Sequence, residues 1–93
     1  MKEDISDRIK EDMEFDKLKQ FLPKYIVKWY CTPSGSRTKW IDVLEKKGWL
    51  NIVVVAYIDI TSKEIVVHDK SAYDIMKEFG KKNKYKKLTK DWE

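Results

Sequence analysis

Residues 49–60 constrain this chain more than any other segment. Taken as a strand, they place Leu50, Ile52, Val54, Ala56, Ile58 and Ile60 on one side, all apolar. The other side carries Trp49, Asn51, Val53, Val55, Tyr57 and Asp59, mostly apolar. Successive side chains point to opposite faces of a sheet, so a strand apolar on both sides needs cover on both. A chain of 93 residues has room for one core only. The expectation is a single domain built round one central strand.

The flanking segments supply its neighbours. Residues 61–64 read as a four-residue turn into a strand at 65–68, which sets Ile60 opposite Ile65 and Ile58 opposite Val67. Residues 24–31 read as another strand, with Tyr25, Val27, Trp29 and Cys31 on one side and Lys24, Ile26, Lys28 and Tyr30 on the other. Residues 4–22 read as a helix closed by Pro23. Its apolar residues fall on two faces: Ile5, Ile9 and Met13 on one, Phe15, Leu18 and Leu22 roughly opposite. Either this helix breaks near Asp12 or two surfaces sandwich it. Residues 37–47 read as a second helix, with Trp40, Ile41 and Leu44 on its apolar face and Gly48 as a left-handed cap. Ser71, with Asp74 three residues on, caps a third helix in which Ala72, Ile75, Met76 and Phe79 share a face and Gly80 ends the run. The predicted order is α-β-α-β-β-α. The predicted class is α+β, with a small three-stranded mixed sheet packed by helices over residues 1–80. Residues 81–93 are a lysine-rich C-terminal tail, in which Tyr85, Leu88 and Trp92 are spaced either for a short docking helix or for a loose end.

Composition narrows the setting. At 42% hydrophobic and 39% charged, the chain is too apolar for disorder and too charged for a membrane protein. No apolar run approaches the ~20 residues that a membrane-spanning helix requires. The opening Met1-Lys2-Glu3-Asp4 is acidic and polar, unlike a secretory signal. Cys31 is the only cysteine and His68 the only histidine, so neither an intrachain disulfide nor a structural metal site is expected. A cytoplasmic location without cofactor is the expectation. Eighteen lysines against two arginines, with one Gln and two Asn, is a composition favoured in hyperthermophiles, so a thermophilic archaeal or viral source is expected.

The basic excess is local. Residues 1–22 carry a net charge of −2, residues 23–79 of +2 and residues 80–93 of +4, the last equal to that of the whole chain. A basic tail suits a polyanion partner; it equally suits a solvated terminus. Size and apolarity point to a different partner. A three-stranded sheet leaves two open edges, and four tryptophans must be placed in 93 residues. A homodimer that extends or interleaves the sheet would answer both needs.

One segment carries recognisable chemistry. In Cys31-Thr32-Pro33-Ser34-Gly35-Ser36-Arg37-Thr38, a cysteine is followed after five residues by arginine and then threonine. This spacing, between a strand and a predicted helix, resembles the signature loop of the cysteine-dependent phosphatases. The resemblance covers eight residues. It implies a Cys31 thiolate attacking phosphorus, Arg37 clamping two phosphate oxygens, and a general acid drawn from Asp42, Asp59 or Asp69. Pro33 removes one N–H from the cradle, and Tyr30 stands where the family often has histidine. A less demanding reading keeps the loop as a phosphate site without catalysis, with Ser34, Gly35, Ser36 and Thr38 as donors and Arg37 and Lys39 as charges. An ordinary turn, with Ser36 capping a helix, fits the same residues.

Two further features need weighing. His68 beside Asp69 suits a proton-transfer pair, but a histidine stacked or hydrogen-bonded against Tyr57 across the hairpin fits better. Among the aromatic residues, Tyr30 with Lys28 and Tyr85 within the tail are the outward candidates for base stacking. The leading functional expectation is thus a small non-enzymatic binding protein. It would hold nucleic acid through the 34–39 loop, Lys28 and Tyr30, and Lys81, Lys82, Lys84, Tyr85, Lys86 and Lys87. A protein-interaction module, either an orphan homodimer or an inhibitor encoded by a virus or mobile element, is the alternative. A phosphatase-like enzyme using Cys31 and Arg37 is the third.

Overall fold

The computed structural model describes residues 5–92, with side chains from Arg8 onward. Residues 1–4, Glu93 and the Ile5 side chain, all used in the sequence reading, lie outside the described residues. The elements are α1 (Ile5–Phe21), β1 (Ile26–Cys31), β2 (Arg37–Lys47), β3 (Asn51–Asp59), β4 (Glu64–Val67), a 3₁₀ turn (Lys70–Ala72), α2 (Tyr73–Lys82) and β5 (Lys87–Lys90). They build one five-stranded mixed sheet whose strands lie side by side in chain order. The first four pair antiparallel, and β5 returns through α2 to lie parallel to β4.

This corrects the predicted three-stranded sheet in the order α-β-α-β-β-α. Residues 37–47 are strand, not helix. Their sequence carries both periods: Trp40, Ile41 and Leu44 suit a helix, whereas Ile41 and Val43 suit a strand. The strand prevails because β1 and β3 bond to it from either side, and because Ile41 and Val43 are then both fully buried. Residues 87–90, read as tail, form β5, with Leu88 opposite Ile65 and packed on the core. The β3–β4 register is offset by two residues from the expected one: Ile58 faces Ile65 and Ala56 faces Val67. A slip of two keeps the same sides together, so the burial pattern survives it.

The core lies between one face of the sheet and both helices. Its rows run Val27–Val43–Ala56–Val67 and Trp29–Ile41–Ile58–Ile65–Leu88 across the strands. Leu18 and Leu22 of α1, together with Met76 and Phe79 of α2, are buried against them. Phe15 of α1 stacks on Trp29, with ring centroids 5.0 Å apart, and Phe21 meets Phe79 at 5.6 Å. Helix α1 is neither broken nor sandwiched. Its second apolar face stays in solvent, with Ile9 and Met13 both exposed. Asp69, not Ser71, is the capping side chain, and it caps the 3₁₀ turn ahead of α2 by accepting from the Ser71 amide; Ala72 leads into α2 without a side-chain cap, and Gly80 sits inside the helix. A Cβ there would come within 3.1 Å of the Ile65 side chain, which accounts for glycine at that contact.

The central strand is irregular. Val43 pairs with Ala56, but Leu44 pairs with Val54, so Val55 is an extra residue in β3. Val55 and Ala56 are consecutive and both buried, as a β-bulge allows. The bulge inverts the alternation. Ile52 and Val54, expected on the same side as Ala56 and Ile58, lie on the opposite side.

Candidate functional site

The sequence places one candidate at residues 31–38. There the chain makes a tight hairpin between β1 and β2. The Gly35 amide donates to the Thr32 carbonyl at 2.8 Å and the Ser36 amide to the Thr32 hydroxyl at 3.2 Å. Gly35 has φ +94, a conformation that glycine adopts without strain. The Thr32 and Ser34 hydroxyls are 2.9 Å apart. Donors that would cradle a phosphate therefore close the turn itself. A strand follows, so no helix dipole points at the loop. Arg37 turns toward α1, where it donates to Asp12 and Glu11 at 3.0 Å each and covers the Trp29 ring at 4.2 Å. Thr38 donates to the Tyr30 carbonyl, and Lys39 lies 3.8 Å from Glu11. Cys31 is exposed at the end of an edge strand.

The C-terminal candidates are spread over one end of the molecule. Lys81 and Lys82 occupy the last turn of α2, and Lys84 takes a left-handed conformation after it. The Tyr85 hydroxyl donates to Glu14 at 3.2 Å, and its ring packs on Phe79. Burial first, and then the Glu14 carboxylate, pushes the Tyr85 hydroxyl pKa well above its usual value. This aromatic ring is committed to the core and is not free to stack on a base. The Lys86 amide donates to the Lys63 carbonyl at 2.8 Å, and Lys87 opens β5.

His68 meets the Tyr57 ring at 5.3 Å, tilted by 45°, and its Nδ1 lies 2.7 Å from an Asp91 carboxylate oxygen. Its sequence neighbour Asp69 faces elsewhere, capping Ser71 and bonding Lys47.

The most distinctive surface is the face of the sheet that carries no helix. Its rows are Ile26–Leu44–Val54, Lys28–Asp42–Tyr57–Val66–Thr89 and Trp40–Asp59–Glu64–Lys87. An aromatic file crosses it. Tyr30 lies 6.3 Å from Trp40, Trp40 stacks on Tyr57 at 5.3 Å and 7°, and Tyr57 meets His68. The Trp40 indole donates to Asp59 at 3.0 Å, which fixes the ring's orientation. Asp42 sits within the file. Burial raises its pKa, and the charges of Lys28 and His68 oppose that rise.

Beyond Leu44 and Val54, β2 and β3 continue as a two-stranded arm with no third neighbour. Ile52 lies on the helix-free side of this arm, and Trp49 and Leu50 at its tip are 86% and 87% exposed. The opposite side carries Glu45 and Lys47 above Tyr25, whose pKa is raised by burial and by Glu45 and Asp69.

Of the sequence-predicted binding residues, Lys28, Tyr30, Thr38 and, at the sheet edge, Lys87 fall on this face. Trp40 was expected on a helix facing the core, and Trp49 on a covered strand. The signal that finds Trp40 is period two over residues 40–46, which aligns Trp40, Asp42, Leu44 and Lys46 on one side.

Among the described residues, no group of three His, Cys, Asp or Glu is placed to hold a metal ion, and no helix is long and apolar enough to cross a membrane. No protein-family model matches this chain, and neither a curated protein nor a solved structure is significantly similar to it.

Proposed function

We propose that this chain is a non-enzymatic protein-interaction module that pairs with a second copy of itself through the helix-free face of its sheet. The observation that carries this reading is the asymmetry of the sheet. Both helices cover one face, while the other exposes Ile26, Tyr30, Trp40, Ile52 and Val54 in continuity with the bare tip at Trp49 and Leu50. Apolar surface of this extent is costly to leave in water and marks an interaction site.

Charge and area favour a copy of the same chain. The face carries Lys28, Lys46 and, at its edge, Lys87, against Asp42, Asp59, Glu64 and Asp91. A polyanion would meet more carboxylates than ammonium groups there. A surface bearing both signs can complement itself across a two-fold axis. Five strands at about 4.8 Å spacing, along the nine residues of β3 at about 3.4 Å each, outline at most roughly 700 Å² per copy. That approaches the ~800 Å² per partner of a standard stable interface. Hydrolysis forms no part of this reading, because Arg37 is held by Glu11 and Asp12 and a strand follows the hairpin.

Sedimentation velocity over a range of protein concentrations tests the proposal. The expected species has about twice the 11.2 kDa chain mass, converting to 11.2 kDa on dilution. Trp40→Glu or Val54→Lys should raise the dissociation constant at least ~30-fold, since central interface residues typically contribute ~2 kcal/mol or more. A wild-type protein that stays at 11.2 kDa at every concentration refutes it.

A further inference from the structure

The geometry points to a second surface, at the opposite end of β3 from the arm, that binds the phosphodiester backbone of single-stranded nucleic acid. Two grooves meet there. The first, a cavity of about 410 Å³ between α1 and the β3–β4 turn, is rimmed by Lys10, Lys17, Lys39 and Lys63. The second, of about 200 Å³, runs between α2 and β5 and is lined by Lys77, Lys81, Lys86 and, at the sheet edge, Lys87. They join at one contact: the Lys63 ammonium lies 4.9 Å over the Tyr85 ring, and the Lys63 carbonyl accepts from the Lys86 amide. Lys63 lines the first groove, and Tyr85 and Lys86 line the second.

Eight lysines thus border one channel, and the negative charge within it is already engaged. Glu11 and Glu14 line the first groove but are each only 9% exposed. Glu11 is held by Arg37, and Glu14 accepts from the Tyr85 hydroxyl. The second groove has no carboxylate in its lining. Clustered ammonium groups raise the local positive potential and draw in a polyanion. Individual roles explain part of the set: Lys81 suits the C-terminal end of a helix, and Lys87 protects an edge strand. Lys39 is also paired with Glu11 at 3.8 Å, but none of these roles accounts for Lys10 and Lys63 facing the same channel from other elements.

The chemistry of the lining defines the ligand class. Lysine is a mobile point charge on a flexible stem, which suits phosphates spaced along a flexible strand. No aromatic ring in the channel is free to stack, because Tyr85 is fixed by Phe79 and Glu14. Contact is therefore with the backbone, and sequence preference is weak. The site meets the self-pairing face only at the sheet edge, where Lys87 borders both, and its other lysines lie outside the rows of that face.

The test is fluorescence anisotropy of a labelled oligothymidylate of about 16 nucleotides, titrated at several salt concentrations. Contact with about five phosphates predicts that affinity falls about 3.5 decades per tenfold rise in salt. Lys39→Gln/Lys63→Gln and Lys77→Gln/Lys86→Gln should each weaken binding at least tenfold. Lys24→Gln/Lys70→Gln, an equal charge change at exposed sites outside both grooves, should weaken it no more than twofold. Trp40→Glu, directed at the other face, should weaken it no more than twofold. Absence of binding at low salt overturns the proposal, as does equal weakening by the Lys24/Lys70 pair. Preference for inorganic polyphosphate or a duplex over the single strand overturns its ligand assignment.

Discussion

The two halves of β3 have nearly the same composition and opposite fates. Val55, Ala56 and Ile58 are fully buried, whereas Ile52, Val53 and Val54 are 54%, 37% and 41% exposed. The buried half has β2 and β4 beside it and both helices over one face. The exposed half has only β2, and that in an arm extending past the reach of α1 and α2. Apolarity therefore marks where a strand would gain from cover, and the neighbouring elements decide whether cover is supplied within the chain. In the exposed half it is not.

The contrast is broken or sharpened by four substitutions. The largest effect is expected in the covered half. Ile58→Ala leaves a cavity under both helices and should cost about 2–5 kcal/mol in urea unfolding. Val54→Ala should cost less than about 1 kcal/mol in dilute protein, with a deficit that grows as concentration rises and self-pairing contributes. Equal losses at high dilution would show that the two halves are not distinct.

An intermediate effect is expected where α1 is locked over the covered half. Tyr85→Phe removes the hydroxyl that donates to the buried Glu14 carboxylate. It should destabilise the fold by about 1–2 kcal/mol in the same denaturant titration. An unchanged midpoint would mean that Lys17, 3.9 Å from Glu14, suffices as its partner.

The smallest effect concerns the tie between the arm and the body. The Lys47 ammonium, and then the Ser71 amide and hydroxyl, hold the Asp69 pKa at about 2, below its ordinary 3.8. A depressed folded-state pKa gives stability that is fully present above the unfolded value and is lost as pH falls through the folded one. Asp69→Asn should therefore be slightly less stable than the parent at neutral pH. The difference should shrink from about pH 4 downward and vanish below about 2. Thermal melts across that range measure it, and a gap independent of pH would remove the charge from the explanation.

Much of the fold was legible in local pattern. The helix read at 4–22 and the strands read at 24–31, 49–60 and 65–68 lie within two residues of α1, β1, β3 and β4, and of the apolar set Ala72, Ile75, Met76 and Phe79 all but the partly buried Ile75 are buried. The Tyr57–His68 contact expected directly across the hairpin forms between diagonal neighbours instead, because Tyr57 pairs with Val66. What was not legible depends on distant partners. Residues 37–47 carry two periods, and only the bonding of β1 and β3 to either side selects one. Leu88 in a lysine-rich tail gives no strand signal by itself; β4 offers it a vacant edge. The bulge at Val55 leaves no mark in composition, yet it moves Ile52 and Val54 from the core side to the open side. Trp40 belongs to the candidate surface for the same reason, since its exposure depends on residues 37–47 being strand.

The sequence by itself determined the α+β class, the apolar character of β3, two of the three helices it predicts and the concentration of lysine near the C-terminus. It could do so because each is a local property of period or composition. Tertiary structure decided which apolar surface is covered, that Arg37 pairs with Glu11 and Asp12 of α1, and that lysines from five parts of the fold line two adjoining grooves. The physical reason is common to all three. Burial, ion pairing and local potential are set by what lies within a few ångströms in space, and residues far apart in the chain supply most of it.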